Sequence, residues 1–413
     1  MRGGSGEANT RTHQPGDQGT ADLKLRTRAS KLSLTCVLPI TDLPFTIQSV
    51  RILIVKLGSI GDVVHTLPSL AAIRNALPRS EISWVVEHGA AEILRDNPIL
   101  DRLIVVDTKA LRRGLVSGET LRAPRQQLRQ LRASAFDLAL DFQGLLKSAS
   151  VARLSGARRI FGFSREGLRE PTSRFLLSQT VSVPKQLHVI RKGLELVKGA
   201  LGVSVPTEAR DFGFPIALKP VHEQEAQEAA ATTGGNYAIL NPAGGWPTKL
   251  WGAQRFGALA DELWKDYGLP ALVTHGPGEA ALAQSVLDAC SSHTARAVSL
   301  SLKGFYALAK GARVYVGGDT GPTHLALAAG APVVGLFGPT EWWRNGSPFV
   351  EDICVERNDI DCRTDCHRRA CSKWICMDIE VHRVLEAISE RLKRGRRDSE
   401  LESKGQLLKV GSA

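Results

Sequence analysis

Short apolar runs rich in β-branched residues alternate with longer stretches of helical periodicity along most of the chain. The first such unit is an apolar run at 51–57 followed by a helical stretch at 63–77. Because apolar runs of this length are typical of strands buried on both faces, the alternation predicts βαβ units and a parallel sheet covered by helices. The same unit is predicted to contain strands at 81–87, 102–107, 136–142 and 158–163, and helices at 122–134 and 147–156.

The rhythm restarts in the second half of the chain, after a helix at 186–202 and a proline-punctuated segment at 205–220. Prolines in that segment favour an irregular connection, which we interpret as a linker between domains. Further strands and helices are then predicted: strands at 237–245, 270–279, 295–300, 313–321 and 332–338, and helices at 253–267, 280–290, 303–312, from Pro322 onward and at 378–394. The pattern indicates an α/β protein with two Rossmann-like, doubly wound parallel-sheet domains facing across a cleft.

These patterns give a predicted domain organisation. Its parts are a disordered extension at 1–49, an N-terminal Rossmann-like domain at 50–204, the linker at 205–220, a C-terminal Rossmann-like domain at 221–377, a C-terminal helix at 378–394 that packs back on the N-terminal domain, and a mobile tail at 395–413. In open α/β folds, ligands bind at the carboxyl ends of the strands. Candidate chemistry is therefore sought in the loops that follow the strands.

The net charge of the chain limits the classes of binding partner that it is expected to have. The 413 residues include 53 Lys and Arg against 42 Asp and Glu, a formal net charge of +11. A nucleic-acid partner is not favoured, because no helix-turn-helix, zinc-finger or aromatic RNA-binding signature is found. An anionic membrane surface or a phosphorylated lipid substrate explains the same excess. With seven cysteines and no apolar run of about 20 residues, the sequence predicts a cytoplasmic protein without a membrane span.

The loop after the first strand, KLGSIGDVVHTLP (56–68), carries one candidate catalytic carboxylate. Gly58 and Gly61 permit a tight turn, and Asp62 stands where the next helix begins. Asp62 is either a catalytic group or only a helix cap. A dinucleotide site is the third alternative, but the spacing is G-x-x-G and not G-x-G-x-x-G.

The segment 316–340, VGGDTGPTHLALAAGAPVVGLFGPT, indicates an anion site. A strand ends in two glycines, Asp319 and Thr320 form the turn, Pro322 suits the first position of the next helix, and Thr323 and His324 lie in its first turn. Free backbone N–H groups and the positive end of the helix dipole favour an anion such as a diphosphate. A capped helix without a ligand is the alternative.

Two further loops in the second half have phosphate- or sugar-binding character. Gly244 and Gly245 precede Lys249, and a glycine turn with a nearby lysine is suited to phosphate. Glu279 ends a glycine turn at a helix start, where it binds a ribose diol or caps the helix.

These motifs, taken in order, resemble glycosyltransferase family 9, the ADP-heptose:lipopolysaccharide heptosyltransferases. The resemblance rests on the Asp62 loop, LDFQGLLKSA (140–149), the Lys249 loop, GPGE (276–279) and GGDTGPTHL (317–325), and it covers about residues 51–394. It is strongest to the heptosyltransferase I type. The resemblance implies a GT-B fold and inverting, metal-independent heptose transfer, without a cofactor, from ADP-heptose to an anionic lipid-linked acceptor of the Kdo-lipid A type. It also implies that 50–204 is the acceptor domain, that 221–377 is the nucleotide-sugar donor domain, and that the protein is located at the inner membrane surface.

The resemblance also implies roles for individual residues. Asp62 would be the base, Lys249 would bind phosphate, Asp319 would contact the donor sugar, Glu279 would bind ribose, and Thr320, Gly321, Thr323 and His324 would bind the diphosphate. Gly244 and Gly245 stand where some members have threonines that contact phosphate. A transferase for another nucleotide sugar and a non-catalytic nucleotide-sugar binding protein are the alternatives, and the absent G-x-G-x-x-G disfavours a nicotinamide oxidoreductase.

Four cysteines near the C-terminus form a cluster that the family function does not explain. Cys362, Cys366, Cys371 and Cys376 lie within 15 residues, with His367 among them. Four sulfurs are suited to zinc or an iron–sulfur cluster, but the intervals lack the usual C-x2-C pairs. Because some family members carry similar cysteines, the resemblance favours a role in shaping the local loop, and no metal is assigned to the active site.

Overall fold

Each half of the chain forms a six-stranded, all-parallel sheet in the computed structural model, which describes residues 50–107, 129, 131–362, 366 and 368–395. All of these residues belong to one compact unit of the chain, Leu43–Ala413. The predicted helix at 122–134 lies mostly outside the described residues. The expectations for residues 1–49 and for the tail from 396 onward lie outside them as well.

The first sheet has the strand order β3-β2-β1-β4-β5-β6. Its strands are β1 (Arg51–Val55), β2 (Glu81–Glu87), β3 (Arg102–Val106), β4 (Leu138–Asp141), β5 (Arg159–Phe163) and β6 (Gln179–Val181). The helices that accompany them are α1 (Ile60–Ala76), α2 (His88–Leu94), α3 (Leu146–Leu154) and α4 (Val189–Leu201). Every apolar run interpreted as a strand is one, as its burial on both faces requires. Among the strands and helices of this first sheet, β6 and α2 were not predicted.

The second sheet has the order β12-β11-β10-β7-β8-β9. Its strands are β7 (Ala238–Asn241), β8 (Ala271–Thr274), β9 (Arg296–Val298), β10 (Val314–Gly318), β11 (Val333–Phe337) and β12 (Ile353–Glu356). Its helices are α5 (Pro220–Ala231), α6 (Ala253–Tyr267), α7 (Ala280–Asp288), α8 (Leu302–Gly311), α9 (Gly321–Ala328), α10 (Trp342–Asn345) and α11 (Val381–Lys393). The two sheets therefore share one topology, the doubly wound order of Rossmann-like folds.

The topology determines where ligands bind. In each sheet the strand order reverses between the first and fourth strands, that is between β1 and β4 and between β7 and β10. Loops leave the carboxyl ends of these neighbouring strands in opposite directions and open a crevice between them. The loops that carry Asp62, Lys249 and Asp319 all follow one of these four strands.

Local sequence explains several helix ends. Helices α4 and α6 end at Gly202 and Gly268, whose φ values of 67° and 57° lie in the left-handed region that glycine adopts without strain. Helix α8 begins after Ser301, whose hydroxyl accepts a hydrogen bond from the backbone of Gly304 at 2.9 Å.

The C-terminal helix α11 packs on the second sheet, so the prediction that it returns to the N-terminal domain was wrong. It contacts α6, β11 and β12, and Val384 and Ile388 are fully buried in the core of the second sheet. Arg391, on the same helix, donates to Asp352 at 2.8 Å, and both side chains are fully buried. This ion pair holds α11 against the second sheet, because a buried arginine needs a matching carboxylate.

Replacing Arg391 by Met should lower the free energy of unfolding by about 3–5 kcal/mol, because Asp352 would remain buried without its cation. Urea unfolding of the purified protein measures this change. The Lys393→Met variant, altered at an exposed position on the same helix, should stay within about 0.5 kcal/mol of the wild type. Equal stability of the two variants would contradict the assigned role of the pair.

In the described part of the chain, no helix combines the length and the apolarity that crossing a bilayer requires.

Candidate active site at the switch points of the two sheets

The N-terminal ends of α1 and α9 meet at the centre of the candidate site. A Cβ atom added to Gly61 would lie 2.3 Å from Cδ2 of His324, and one added to Gly321 would lie 2.7 Å from Cγ2 of Ile60. Both distances are far shorter than a van der Waals contact, so only glycine permits this approach. The two glycines therefore bring the Asp62 loop of the first sheet against the Asp319 turn of the second.

Asp319 is the centre of a buried polar network in the second sheet. The Nζ of Lys249 donates to its Oδ2 at 2.7 Å and to its backbone oxygen at 2.9 Å. His324 Nε2 lies 3.3 Å from Oδ1, and Asn345 Nδ2 donates to Oδ2 at 3.3 Å. Burial raises the pKa of Asp319, but His324 and Lys249 outweigh it and hold that pKa well below its ordinary value. The carboxylate is thus ionised and held in a fixed orientation.

The turn before α9 has the character of an anion site. The hydroxyls of Thr320 and Thr323 lie 3.2 Å apart, and Thr323 also donates to the backbone oxygen of Gly318. Gly318 lies against the backbone of Lys249, with 3.4 Å between its added Cβ position and the Lys249 oxygen. The first-turn N–H groups of α9 and the ammonium of Lys249 therefore share one side of the crevice, as binding of a diphosphate requires.

Asp62 lies in the first turn of α1 between two cations. Its Oδ1 is 3.2 Å from Nζ of Lys56, its Oδ2 accepts from the backbone of Ser59 at 3.1 Å, and Arg169 approaches to 4.0 Å. Burial raises the pKa of Asp62, but Lys56, Arg169 and the Ser59 bond lower that pKa by a larger amount. The net pKa of Asp62 is therefore below its ordinary value. The bond from Ser59 makes Asp62 part of the cap of α1, and the lowered pKa keeps its carboxylate ionised. The Asp62 side chain is 24% exposed.

Lys56 was not predicted as a site residue, although it controls the charge around Asp62. It is buried at the end of β1, and its ammonium also donates to the backbone oxygen of Phe142 at 3.1 Å. Gln143 completes this junction by donating to the Gly58 oxygen at 2.7 Å and accepting from the Leu57 backbone at 3.0 Å. The loops after β1 and β4 are thereby fixed to each other.

Replacing Lys56 by Met should shift the acidic limb of the kcat/KM pH profile toward higher pH. The ionised form of Asp62 exists only above its pKa, and removing the neighbouring cation raises that pKa. Activity should therefore be lost at a higher pH than in the wild type, with the neutral plateau less affected. The Lys198→Met variant, altered at an exposed lysine on α4, should keep the wild-type profile. An unshifted acidic limb in the Lys56 variant would contradict this coupling.

Asp141 is a second buried carboxylate beside this junction. It accepts hydrogen bonds from the backbones of Gln143 and Gly144 at 2.9 and 3.2 Å and from the Ser148 hydroxyl at 3.0 Å. Burial raises the pKa of Asp141 to about 6 despite these bonds. Its three donors lie in the loop after β4 and in the first turn of α3, so these bonds tie that loop to the helix.

Three histidine rings pack against one another where α1 meets α9. The ring centroids of His188 and His65 are 5.8 Å apart, and those of His65 and His324 are 4.2 Å apart. Burial lowers the pKa of His188 to about 4 and the pKa of His65 well below its ordinary value. His65 and His188 are therefore neutral at pH 7, and they pack as polar rings rather than as cations.

The remaining predicted residues lie outside this network. Glu279 accepts from the backbone of Gly276 at 2.7 Å within its own turn, and its side chain makes no capping hydrogen bond to α7, so the helix-cap alternative is not supported. Gly244 packs against Lys249, whereas the space beside Gly245 is open. The structure thus brings together Lys249, Asp319, Thr320, Gly321, Thr323 and His324, with Gly244 next to them, whereas the Glu279 carboxylate bonds to Gly276 instead.

A protein-family comparison identifies the chain. The model of glycosyltransferase family 9 (heptosyltransferase) matches residues 125–374. The chain belongs to glycosyltransferase family 9. It is also 33% identical over 292 residues to lipopolysaccharide heptosyltransferase 1 of Pseudomonas aeruginosa, which covers 70% of this glycosyltransferase and 79% of that relative.

Solved structures agree with this assignment. The Escherichia coli heptosyltransferase WaaC with ADP is 27% identical, has a TM-score of 0.67, and matches 83% of this glycosyltransferase and 99% of that chain. The same enzyme with ADP-2-deoxy-2-fluoro heptose is 26% identical, with a TM-score of 0.65, and matches 81% and 99% of the two chains. The prediction of a GT-B fold built from two Rossmann-like parallel sheets is confirmed.

Proposed function

We propose that this glycosyltransferase moves a heptose from ADP-heptose to the inner core of lipopolysaccharide, on an acceptor of the Kdo-lipid A type, with inversion at the anomeric carbon and without a metal. The observation that carries the proposal is the contact of Gly61 with His324, which places the Asp62 loop against the diphosphate-type turn of α9. Similarity to lipopolysaccharide heptosyltransferase 1 and to WaaC bound to ADP supports the donor and the sugar.

Asp62 is proposed as the base. As the acceptor oxygen bonds to the anomeric carbon, its proton passes to the Asp62 carboxylate, and the bond between that carbon and the diphosphate breaks. A positioned base contributes about 10²–10⁴ in rate. Lys56 and Arg169 keep Asp62 ionised and so ready to accept the proton. A single displacement of this kind inverts the configuration.

Lys249 and the N-terminal end of α9 are proposed to hold the leaving ADP. The departing diphosphate gains negative charge, which a fixed ammonium and the helix N–H groups would stabilise. Thr320, Gly321, Thr323 and His324 belong to this half of the site, and Gly244 and Gly245 allow the backbone to approach the phosphates. Because this charge is balanced by Lys249, the reaction is proposed to proceed without added Mg²⁺ or Mn²⁺.

Asp319 and Glu279 are proposed to recognise the donor through hydroxyl groups. Asp319 is anionic and would repel phosphate, but its fixed carboxylate is suited to accept hydrogen bonds from the sugar. Glu279 follows the strand next to β7, where an oxygen is suited to the ribose diol. The diol would replace the bond from Gly276 that Glu279 now accepts.

The acceptor is proposed to be recognised by charge from a cytoplasmic, peripheral position at the inner membrane. Arg169 is 58% exposed beside Asp62, where it is suited to a phosphate or carboxylate of the acceptor. The net charge of +11 favours association with anionic headgroups.

A donor panel combined with a transfer assay tests the proposal. ADP-heptose, and not UDP- or GDP-sugars, should protect the protein against thermal unfolding, by about 2.7 kcal/mol at 100 times its dissociation constant. With a Kdo-lipid A acceptor, mass spectrometry should show the addition of one heptose without added divalent metal. Stabilisation by another nucleotide sugar, with transfer of that sugar, would replace the proposal by the alternative transferase. Donor binding with no transfer would favour a binding protein.

A further inference from the structure

Four of the chain's seven cysteines line one cavity behind the loop that carries Lys249. They are Cys362, Cys366, Cys371 and Cys376, and Thr248 and Trp374 also face the cavity. Its volume of about 20 Å³ leaves room for one water-sized occupant. These cysteines, spaced four and five positions apart in the sequence, thus border one small cavity.

The four cysteines in this cavity are free thiols. No disulfide joins them, and Cys371 accepts a hydrogen bond from the backbone N–H of Trp374 at 3.3 Å. Four thiols that border one cavity offer four sulfur ligands to a single cation.

We propose that the four cysteines bind one thiophilic divalent ion, Zn²⁺ or Fe²⁺, in a tetrahedral thiolate site. Soft sulfur ligands select these metals, and a set of four closed around the ion is typical of structural sites. Among the described residues, no group of three or more Cys, His, Asp or Glu side chains is placed so that it could hold a metal ion as it stands, so binding requires the sulfurs to move closer together. The ion would draw the sulfurs inward, because metal binding and local folding are coupled.

The proposed ion would act on catalysis only indirectly, through the backbone beside Lys249. The Thr248 hydroxyl donates to the backbone oxygen of Arg368 at 2.6 Å, and the Trp374 indole donates to the backbone oxygen of Thr248 at 3.0 Å. Both partners belong to the segment that holds the cysteines. The site would therefore fix the turn from which Lys249 reaches Asp319, and it contacts no reacting atom.

Metal analysis of the full chain, purified without chelators and without substrate, tests this proposal. Inductively coupled plasma mass spectrometry of the wild type should find one Zn or one Fe per chain. The element that is found decides between the two ions. The Cys371→Ser and Cys376→Ser variants should lose the metal. The Cys354→Ser variant, altered at a partly buried cysteine outside the cavity, should retain it.

A cobalt titration keeps the test independent of whether the variants fold. Metal-free wild-type protein should bind one equivalent of Co²⁺ and develop the intense visible absorption of tetrahedral cobalt thiolate. Absence of both bound metal and this spectrum, or disulfides between these cysteines in freshly purified protein, would overturn the proposal. Neither readout involves sugar transfer, so failure of the proposed function leaves the test unaffected.

Discussion

Replacing Asp62 by Asn should lower kcat by about 10²–10⁴-fold and leave the affinity for ADP nearly unchanged. The amide has the size of the carboxylate but no basic oxygen to take the proton of the acceptor. Asp62 lies in the first turn of α1 and contacts Lys56, Ser59 and Arg169, none of which is a proposed diphosphate ligand. Initial rates of heptose transfer measure the loss, and calorimetry with ADP measures binding.

The Asp266→Asn variant is the matched control, because this exposed aspartate lies on α6 away from the crevice. It should retain wild-type turnover. A turnover near that of the wild type in the Asp62 variant would refute the base assignment. Loss of acceptor affinity with unchanged kcat would instead show that Asp62 only orients the acceptor.

Replacing Lys249 by Met should lower kcat/KM by about 10²–10³-fold, the effect expected when one preorganised charge donor is removed. The Lys249 side chain is 9% exposed, and its ammonium is held 2.7 Å from the Asp319 carboxylate, so its charge is fixed in place. Weaker binding of ADP should accompany the loss of rate, because the charge is felt by the bound diphosphate as well as by the leaving one. Calorimetry and steady-state kinetics separate the two effects.

Loss of Lys249 also leaves Asp319 with His324 and Asn345 alone, so thermal unfolding must accompany the kinetics. The Lys265→Met variant, altered at a lysine that is 71% exposed, should match the wild type in rate and ADP affinity. A folded Lys249 variant with unchanged ADP affinity would contradict the diphosphate assignment.

The sequence predicted the fold well because burial on both faces leaves a strong signal. Runs such as 51–57 and 332–338 contain few polar positions, so each identifies a central strand. Strand β6 has only three residues at a sheet edge, and α2 begins directly after β2, so neither has a pattern of its own. The apolar stripe of α11 predicts that the helix packs on a sheet but does not say which one. That choice depends on the ion pair between Arg391 on α11 and Asp352, which lies 39 residues earlier in the sequence.

The candidate site was predictable where its residues share one loop. Asp319, Thr320, Thr323 and His324 lie within one strand–turn–helix unit, where glycines and proline mark the geometry. Asn345 bonds to Asp319 across 26 residues, a contact that no local pattern indicates. Lys56 did leave a signal, since a lysine at the end of an apolar strand is buried and needs a carboxylate partner.

The configuration of the new glycosidic bond tests the central claim most directly. A single displacement, with Asp62 on one side of the crevice and the leaving diphosphate held by Lys249 on the other, requires attack from the face opposite the departing ADP. Nuclear magnetic resonance of the product should therefore show the anomeric configuration opposite to that of the ADP-heptose donor. A product with the donor's own configuration would contradict the mechanism, because it requires two displacements or attack from the leaving-group side.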